Sequence, residues 1–269
     1  MSAAILVVAS LLPAAWGAAA NAKPADAPAA DVSLLLDLAT LDSRILTDGV
    51  QRKDEAFATA KRYMRFMLEA VDPSVVRSLV SRKVHIVVLP TGAKLTEVAS
   101  LRSFSGKRLY STRFEELDGL AYVPMDGGQG VAAVVPEESV VGEDAADRLG
   151  LRKGFRLDGP RGYRKGFVFV HEFAHVVKLA GLPAQAARGA SVPSADEVEK
   201  IYADSMKRPQ KTGLWKYADL NREEMFAEAA NAYFGVGLSG ETPDTLREAN
   251  RPLYDLLRRV FGPPRELKP

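Results

Sequence analysis

The chain has 269 residues, three histidines and no cysteine, and its 36 Lys/Arg against 34 Asp/Glu leave a formal net charge of +2. The absence of cysteine excludes disulfides, thiolate zinc sites, iron–sulfur clusters and cysteine nucleophiles. The balanced charge gives no electrostatic basis for binding nucleic acid, and 47% hydrophobic residues are enough to bury a core in one good-sized domain.

Residues 1–22 carry no charged side chain, and their apolar run is broken at Pro13. Ala20-Asn21-Ala22 has the small-x-small pattern of signal-peptide cleavage, so a signal removed after Ala22 and a secreted or periplasmic location are expected. No Lys or Arg precedes the run, and its length approaches that of a bilayer span. An uncleaved anchor is therefore the alternative, and membrane contact is expected only in that case. Residues 23–30 (KPADAPAA) read as an Ala/Pro tether. Residues 31–269 show no internal repeat, long charge block or second linker, which predicts one domain.

Residues 31–46 are Leu-rich and read as a helix, and residues 52–70 as an amphipathic one, with Phe57, Ala60, Tyr63, Met64 and Met67 near helical spacing. Asp72-Pro73 starts a short helix ending near Val80. Residues 84–89 (VHIVVL) form a strand closed by Pro90. Residues 119–124 and 131–135 read as a hairpin around a Gly-rich turn at 126–130, which lacks the Lys-Ser/Thr of a phosphate loop. The strand at 131–135 has two readings: an edge that pairs with an extended peptide, or an ordinary buried strand. The basic residues Arg152, Lys153, Arg156, Arg161, Arg164 and Lys165 fit a solvated loop, with an acidic-substrate rim as the other reading. Residues 167–180 form a helix stopped by Gly181 and Pro183. Ser194 opens another with Glu197 in a capping box, Asn221 begins one that runs to about Phe234, and Arg251 or Pro252 begins the last, ending at Phe261. Strands early and helices late predict an α+β fold, not a doubly wound sheet.

Residues 171–175 read His-Glu-Phe-Ala-His. Positions i and i+4 of a helix share a face, so two imidazoles there can grip one Zn2+ while Glu172 stands where it can take a proton from the metal's water. The flanking residues 167–170 and Val176-Val177 make this helix apolar almost all round, hence buried. Two buried histidines and a buried glutamate without a partner would be costly, and a metal removes that cost.

A catalytic zinc has three protein ligands and one open position. The extended motif that supplies a third histidine would place it at Gly181, and the remaining histidine, His85, lies in a strand where it reads as structural. The third ligand is therefore expected to be a carboxylate. Within residues 217–234, Glu224, Glu228 and Asn231 fall on one helical stripe amid Met225, Phe226, Ala229 and Tyr233. Glu224 also stands three after Asn221, where it could simply complete a capping box, and spacing alone does not choose between Glu224 and Glu228. Gly213-Leu214-Trp215 precedes Tyr217 and is expected to position it.

Together, HEFAH and Tyr217-x3-Asn221-x2-Glu224-Met225-Phe226-Ala227-Glu228-Ala229 resemble the catalytic domain of anthrax lethal factor and the related Pro-Pro endopeptidases, secreted bacterial zinc peptidases of the gluzincin type. The resemblance covers residues 165–235. It departs at Ala174, where the family often has glycine, and at Met225, where it has an aromatic. It implies a zincin-like catalytic domain over residues 31–269 and one Zn2+ on His171, His175 and Glu224. It makes Glu172 the general base, Glu228 a carboxylate bonded to a ligand histidine, and Tyr217 the donor to the developing oxyanion. The activity it implies is zinc-dependent hydrolysis of peptide bonds in a protein or peptide substrate. Two alternatives are a non-catalytic zincin-fold binding protein of the cell envelope and a zinc amidase acting on cell-wall peptide.

Overall fold

A computed structural model describes residues 6–8, 27–109, 112–113, 117, 119–125, 130–141, 166–185, 191–214, 217–238 and 240–267. The expected cleavage site at Ala22, the turn at 126–129, the basic residues from Arg152 to Lys165 and Trp215 lie outside the described residues.

The fold is α+β, with a mixed sheet built from the first half of the chain and a mainly helical second half. Strand β1 (Leu6–Val8) comes first, followed by helix α1 (Ala27–Asp42). The expected tether is therefore already helical from Ala27. The expected helix over 31–46 also stops early: Ile45–Leu46 forms strand β2, which pairs parallel with β3 (Val84–Leu89). Apolar content alone does not separate a helix end from a short strand, and Ile45, β-branched, gains more from the sheet edge than from another helical turn. Helices α2 (Lys53–Leu68) and α3 (Pro73–Ser81) lie between these strands. Asp72 caps α3 by accepting from the backbone N–H of Ser74, with Pro73 in the first turn.

After β3 come two 3-10 turns (Leu95–Glu97 and Ala99–Phe104) and a small antiparallel pair, β4 (Arg108–Leu109) with β5 (Thr112–Arg113). Strands β6 (Leu120–Met125) and β7 (Gly130–Pro136) form the expected hairpin, antiparallel, with Ala121 opposite Ala133. The main sheet runs β1-β6-β7-β3-β2, and all its pairings except β6–β7 are parallel.

This order overturns the reading of residues 131–135 as an edge that pairs with a peptide. Strand β7 is interior, bonded to β6 on one side and β3 on the other, and every one of its residues is buried. Its uninterrupted apolar run is that of a strand covered on both faces. Val131, Ala133 and Val135 enter the main core, while Ala132 and Val134 point to a smaller core with Leu89, Leu95, Leu101, Leu117 and Leu120.

Helix α4 (Glu137–Val141) follows β7, and α5 (Phe167–Val176) then crosses the main-core face of the sheet. Gly166, at φ +87, turns the chain into α5, and the helix continues as a π turn (Val177–Gly181). Every residue of α5 is buried, because β6 and β7 cover one side while α2, α4 and α7 (Arg222–Tyr233) cover others. Helix α6 (Ala195–Ser205) opens with the expected Ser194–Glu197 capping box. Helices α8 (Pro243–Ala249) and α9 (Arg251–Phe261) complete the chain, α9 capped by Asn250. Among the described residues, no helix is long and apolar enough to cross a membrane.

Candidate metal centre

Helices α5 and α7 face each other, and the site lies between them. His171 and His175 are one turn apart on α5 and present their Nε2 atoms 3.0 Å from each other. Glu224, in the first turn of α7, places Oε2 3.1 Å from His171 Nε2 and 3.6 Å from His175 Nε2. All three side chains are fully buried. Among the described residues they form the one His/Cys/Asp/Glu group whose donor atoms converge closely enough to hold a metal ion.

The triangle has the size an ion requires. A tetrahedral cation with bonds of about 2.0–2.1 Å sets its donor atoms about 3.3–3.4 Å apart. Glu224 Oε1 and His175 Nδ1 are buried with no hydrogen-bond partner among the described residues, so hydrogen bonding alone does not satisfy the group. A buried His171-His175-Glu224 set can thus bind a metal ion.

Electrostatics point the same way. Burial pushes His171 down to about 3 and holds His175 well below the usual imidazole range, with His171 and Lys178 adding to the effect on His175. Both rings are therefore neutral and can donate lone pairs. Burial holds Glu224 well above the usual carboxylate range, reinforced by Glu172, Glu228 and Glu223. Glu228 is raised by burial and by Glu241, an effect the nearby Asn231 amide opposes.

The remaining expected residues surround this triangle. Glu172, fully buried, projects from α5 toward the entry to β6. Glu228 lies one turn beyond Glu224, its Oε1 3.5 Å from His171 Nδ1, and Asn231 Nδ2 is also 3.5 Å from that nitrogen. Glu228 and Asn231 thus flank the ring nitrogen of His171 that faces away from Glu224. Tyr217, half-buried, sets its ring 6.3 Å from the His171 ring, centroid to centroid. Asn221 accepts from the N–H groups of both Glu223 and Glu224 at 2.9 Å, which fixes the first turn of α7 and the ligand on it. The structure thus gathers His171, Glu172, His175, Tyr217, Glu224 and Glu228 at one place. His85 is not among them: its Nδ1 bonds the carbonyl of Lys83 at 2.7 Å on the far strand β3.

Three further residues shape the surroundings of the site. Gly119 lies against Glu172: a Cβ there would stand 2.7 Å from Glu172 Oε1 and 2.8 Å from Val168 Cγ1. Lys178, almost fully buried on the π turn, pairs with Glu223, the neighbour of the ligand Glu224. Gly181 occupies the position where the extended motif would put a third histidine, and a Cβ there would stand 2.8 Å from Val75 Cγ1. The signal for Lys178 was available, since a lysine seven residues after His171 falls on the ligand face of the helix.

Comparison of the chain with protein-family models and with curated proteins returned no match.

Proposed function

We propose that this chain is an exported zinc-dependent endopeptidase acting on protein or peptide substrates. The observation that carries the reading is a three-donor set, His171, His175 and Glu224, with a glutamate that is not needed as a ligand held on the same helix beside it. A structural zinc site closes its coordination with four protein ligands and has no use for such a base. The resemblance to the lethal factor and Pro-Pro endopeptidase catalytic domains supports the same assignment and adds Tyr217.

When bound, zinc supplies Lewis-acid polarisation of a carbonyl and lowers the pKa of water toward about 7. The chain's own residues do the rest. Glu172 takes a proton from the attacking water on a carboxylate oxygen and passes it to the leaving amine. The Tyr217 hydroxyl donates to the oxygen on which negative charge develops, a contribution of about 2–4 kcal/mol for a single donor. Glu228 holds the His171 ring in the tautomer that turns Nε2 toward the metal. The burial that keeps both imidazoles neutral keeps them competent as ligands.

Digestion of a peptide library by the wild type and by Glu172→Gln, each assayed for zinc, tests the reading. Stoichiometric zinc in both proteins with cleavage only by the wild type is expected, and the products report any preference around proline. Equal cleavage by both proteins would refute the assigned base. A protein that takes up no zinc would support the non-catalytic alternative.

A further inference from the structure

Tyr217 lies in the connection between α6 and α7, a stretch without regular secondary structure. A side chain that must meet a transition state within a fraction of an ångström needs its backbone fixed, and here no ladder or helix fixes it. A closed set of side-chain bonds does so instead. Asp219 Oδ1 accepts from the Thr212 hydroxyl at 2.6 Å and from the Thr212 backbone N–H at 3.1 Å, which joins the two ends of the loop around Tyr217. The Thr212 hydroxyl oxygen accepts in turn from Leu214 N–H at 3.3 Å. Thr212 is fully buried.

The clasp is anchored to two helices. The Tyr202 hydroxyl on α6 donates to the Asp219 carbonyl at 2.9 Å. Asn250, buried at the start of α9, donates from Nδ2 to the Thr212 carbonyl at 3.1 Å and to Ser205 Oγ at 2.9 Å. Gly213, at φ +73, lies so close to Ala249 that a Cβ would stand 2.8 Å from the Ala249 Cβ. Leu220 N–H donates to the Tyr217 carbonyl at 3.1 Å, which ties the tyrosine's own backbone to the turn that carries Asp219.

We propose that Thr212 and Asp219 are positioning residues: their clasp holds Tyr217 beside the His171 ring, with Tyr202 and Asn250 as its anchors. The inference rests on the peptidase reading for what Tyr217 does, though not for where the clasp puts it.

The experiment uses the full zinc-loaded chain and the variant Thr212→Val, which keeps the side chain's shape and removes the hydroxyl. On a peptide cleaved by the wild type, kcat is expected to fall by about tenfold or more with KM little changed, the usual scale for removing a supporting bond behind a site residue. In a Tyr217→Phe background the same substitution should have almost no further effect on kcat. Asp219→Asn, which keeps an acceptor oxygen for Thr212, should stay near wild type. The second readout needs no activity. In chain labelled with 3-fluorotyrosine, the Tyr217 fluorine line is identified by its loss in Tyr217→Phe. It should move when zinc is added, and in Thr212→Val it should shift toward its position in the unfolded chain. A Thr212→Val protein whose Tyr217 line and kcat match wild type overturns the proposal, as does an equal fold-loss of kcat with and without the Tyr217 hydroxyl. If Thr212→Val does not fold, Tyr202→Phe decides by the same fluorine line: a shift of that line supports the clasp, and an unmoved line overturns it. If no peptide is cleaved by the wild type, the peptidase reading fails and the fluorine line alone decides the clasp.

Discussion

Replacing Gly119 by alanine adds one methyl group at the most crowded point of the site. The new Cβ would stand 2.7 Å from Glu172 Oε1, 2.8 Å from Val168 Cγ1 and 2.9 Å from Glu172 Cγ, all closer than carbon tolerates. Val168 and Glu172 are both buried on α5, so neither can swing into solvent. Overpacking of this kind costs about 1–3 kcal/mol. Alanine recovers about 0.4–1 kcal/mol by restricting the unfolded chain, which leaves a net loss of up to about 2.5 kcal/mol. Two of the three clashes are with Glu172, so in a Glu172→Ala background most of that loss should disappear. Urea denaturation of the metal-free wild type, both single variants and the double variant gives the coupling, expected at about 1 kcal/mol. Turnover gives an independent reading, because a carboxylate pushed about 1 Å from its station loses on the order of a hundredfold in rate. If Gly119→Ala costs the same with and without the Glu172 side chain, the close approach of β6 to the proposed base is refuted.

Metal binding has a proton signature. Both histidines are held neutral by burial and have no proton to release, whereas Glu224 is raised well above the usual carboxylate range and must give one up. Calorimetric titration of zinc at pH 6 in buffers of different ionisation enthalpy should therefore report proton release, and a Glu224→Gln variant should report about one proton fewer; equal release by the two proteins would show that Glu224 does not supply the displaced proton. For the metal-free protein, histidines depressed in the folded state lose stability as pH falls below 6.5, at about 1.4 kcal/mol per pH unit for each, while the raised carboxyls lose stability as pH rises above 4.5; a stability maximum between these limits is the outcome to look for in urea melts across pH. Lys178→Met removes the cation that joins α5's extension to Glu223 and leaves Glu223 only Arg222, 3.3 Å away, so it should cost less than the about 3–5 kcal/mol of a buried charge with no partner, whereas Lys178→Met with Glu223→Leu should restore most of the loss, since an apolar pair of similar volume replaces both charges; equal losses in the single and double variants would show that the pair is not what holds the two helices.

The sequence carried the site better than the sheet. His171, Glu172 and His175 are legible because one helical turn is a rigid ruler: a spacing of four fixes a shared face whatever surrounds it. Glu224 was narrower than spacing could decide, since a capping role and a ligand role ask for the same position. In the structure the two are separate, as Asn221 caps the helix through its own side chain and leaves Glu224 Oε2 facing the histidines. Strand order, by contrast, is a property of partners distant in the chain. Residues 131–135 read equally well as an edge or an interior strand until β3 and β6 are seen to flank them. The turn from α1 into β2 failed for a related reason, because Ile45 and Leu46 become a strand only through Ile86 and Val87. Gly119 was silent because its importance lies in an approach to Glu172, fifty-three positions away in the numbering.

Charge accounting explains why the site is built from these residues. Glu172, Glu224 and Glu228 are all fully buried, and the two imidazoles that face them are held neutral. The buried cation closest by, Lys178, is engaged with Glu223 and lies near enough to depress His175 further. Without an added positive charge, protons must occupy the carboxyls, and burial raises Glu224 and Glu228 to permit it. A divalent cation between His171, His175 and Glu224 replaces such a proton with two charges at the point where three donor atoms already converge. It would stabilise the carboxylate form of Glu172 at the same time, which a general base requires. The ion and the proposed base are therefore coupled by the fold: loss of the metal removes a positive charge from beside Glu172 as well as the Lewis acid.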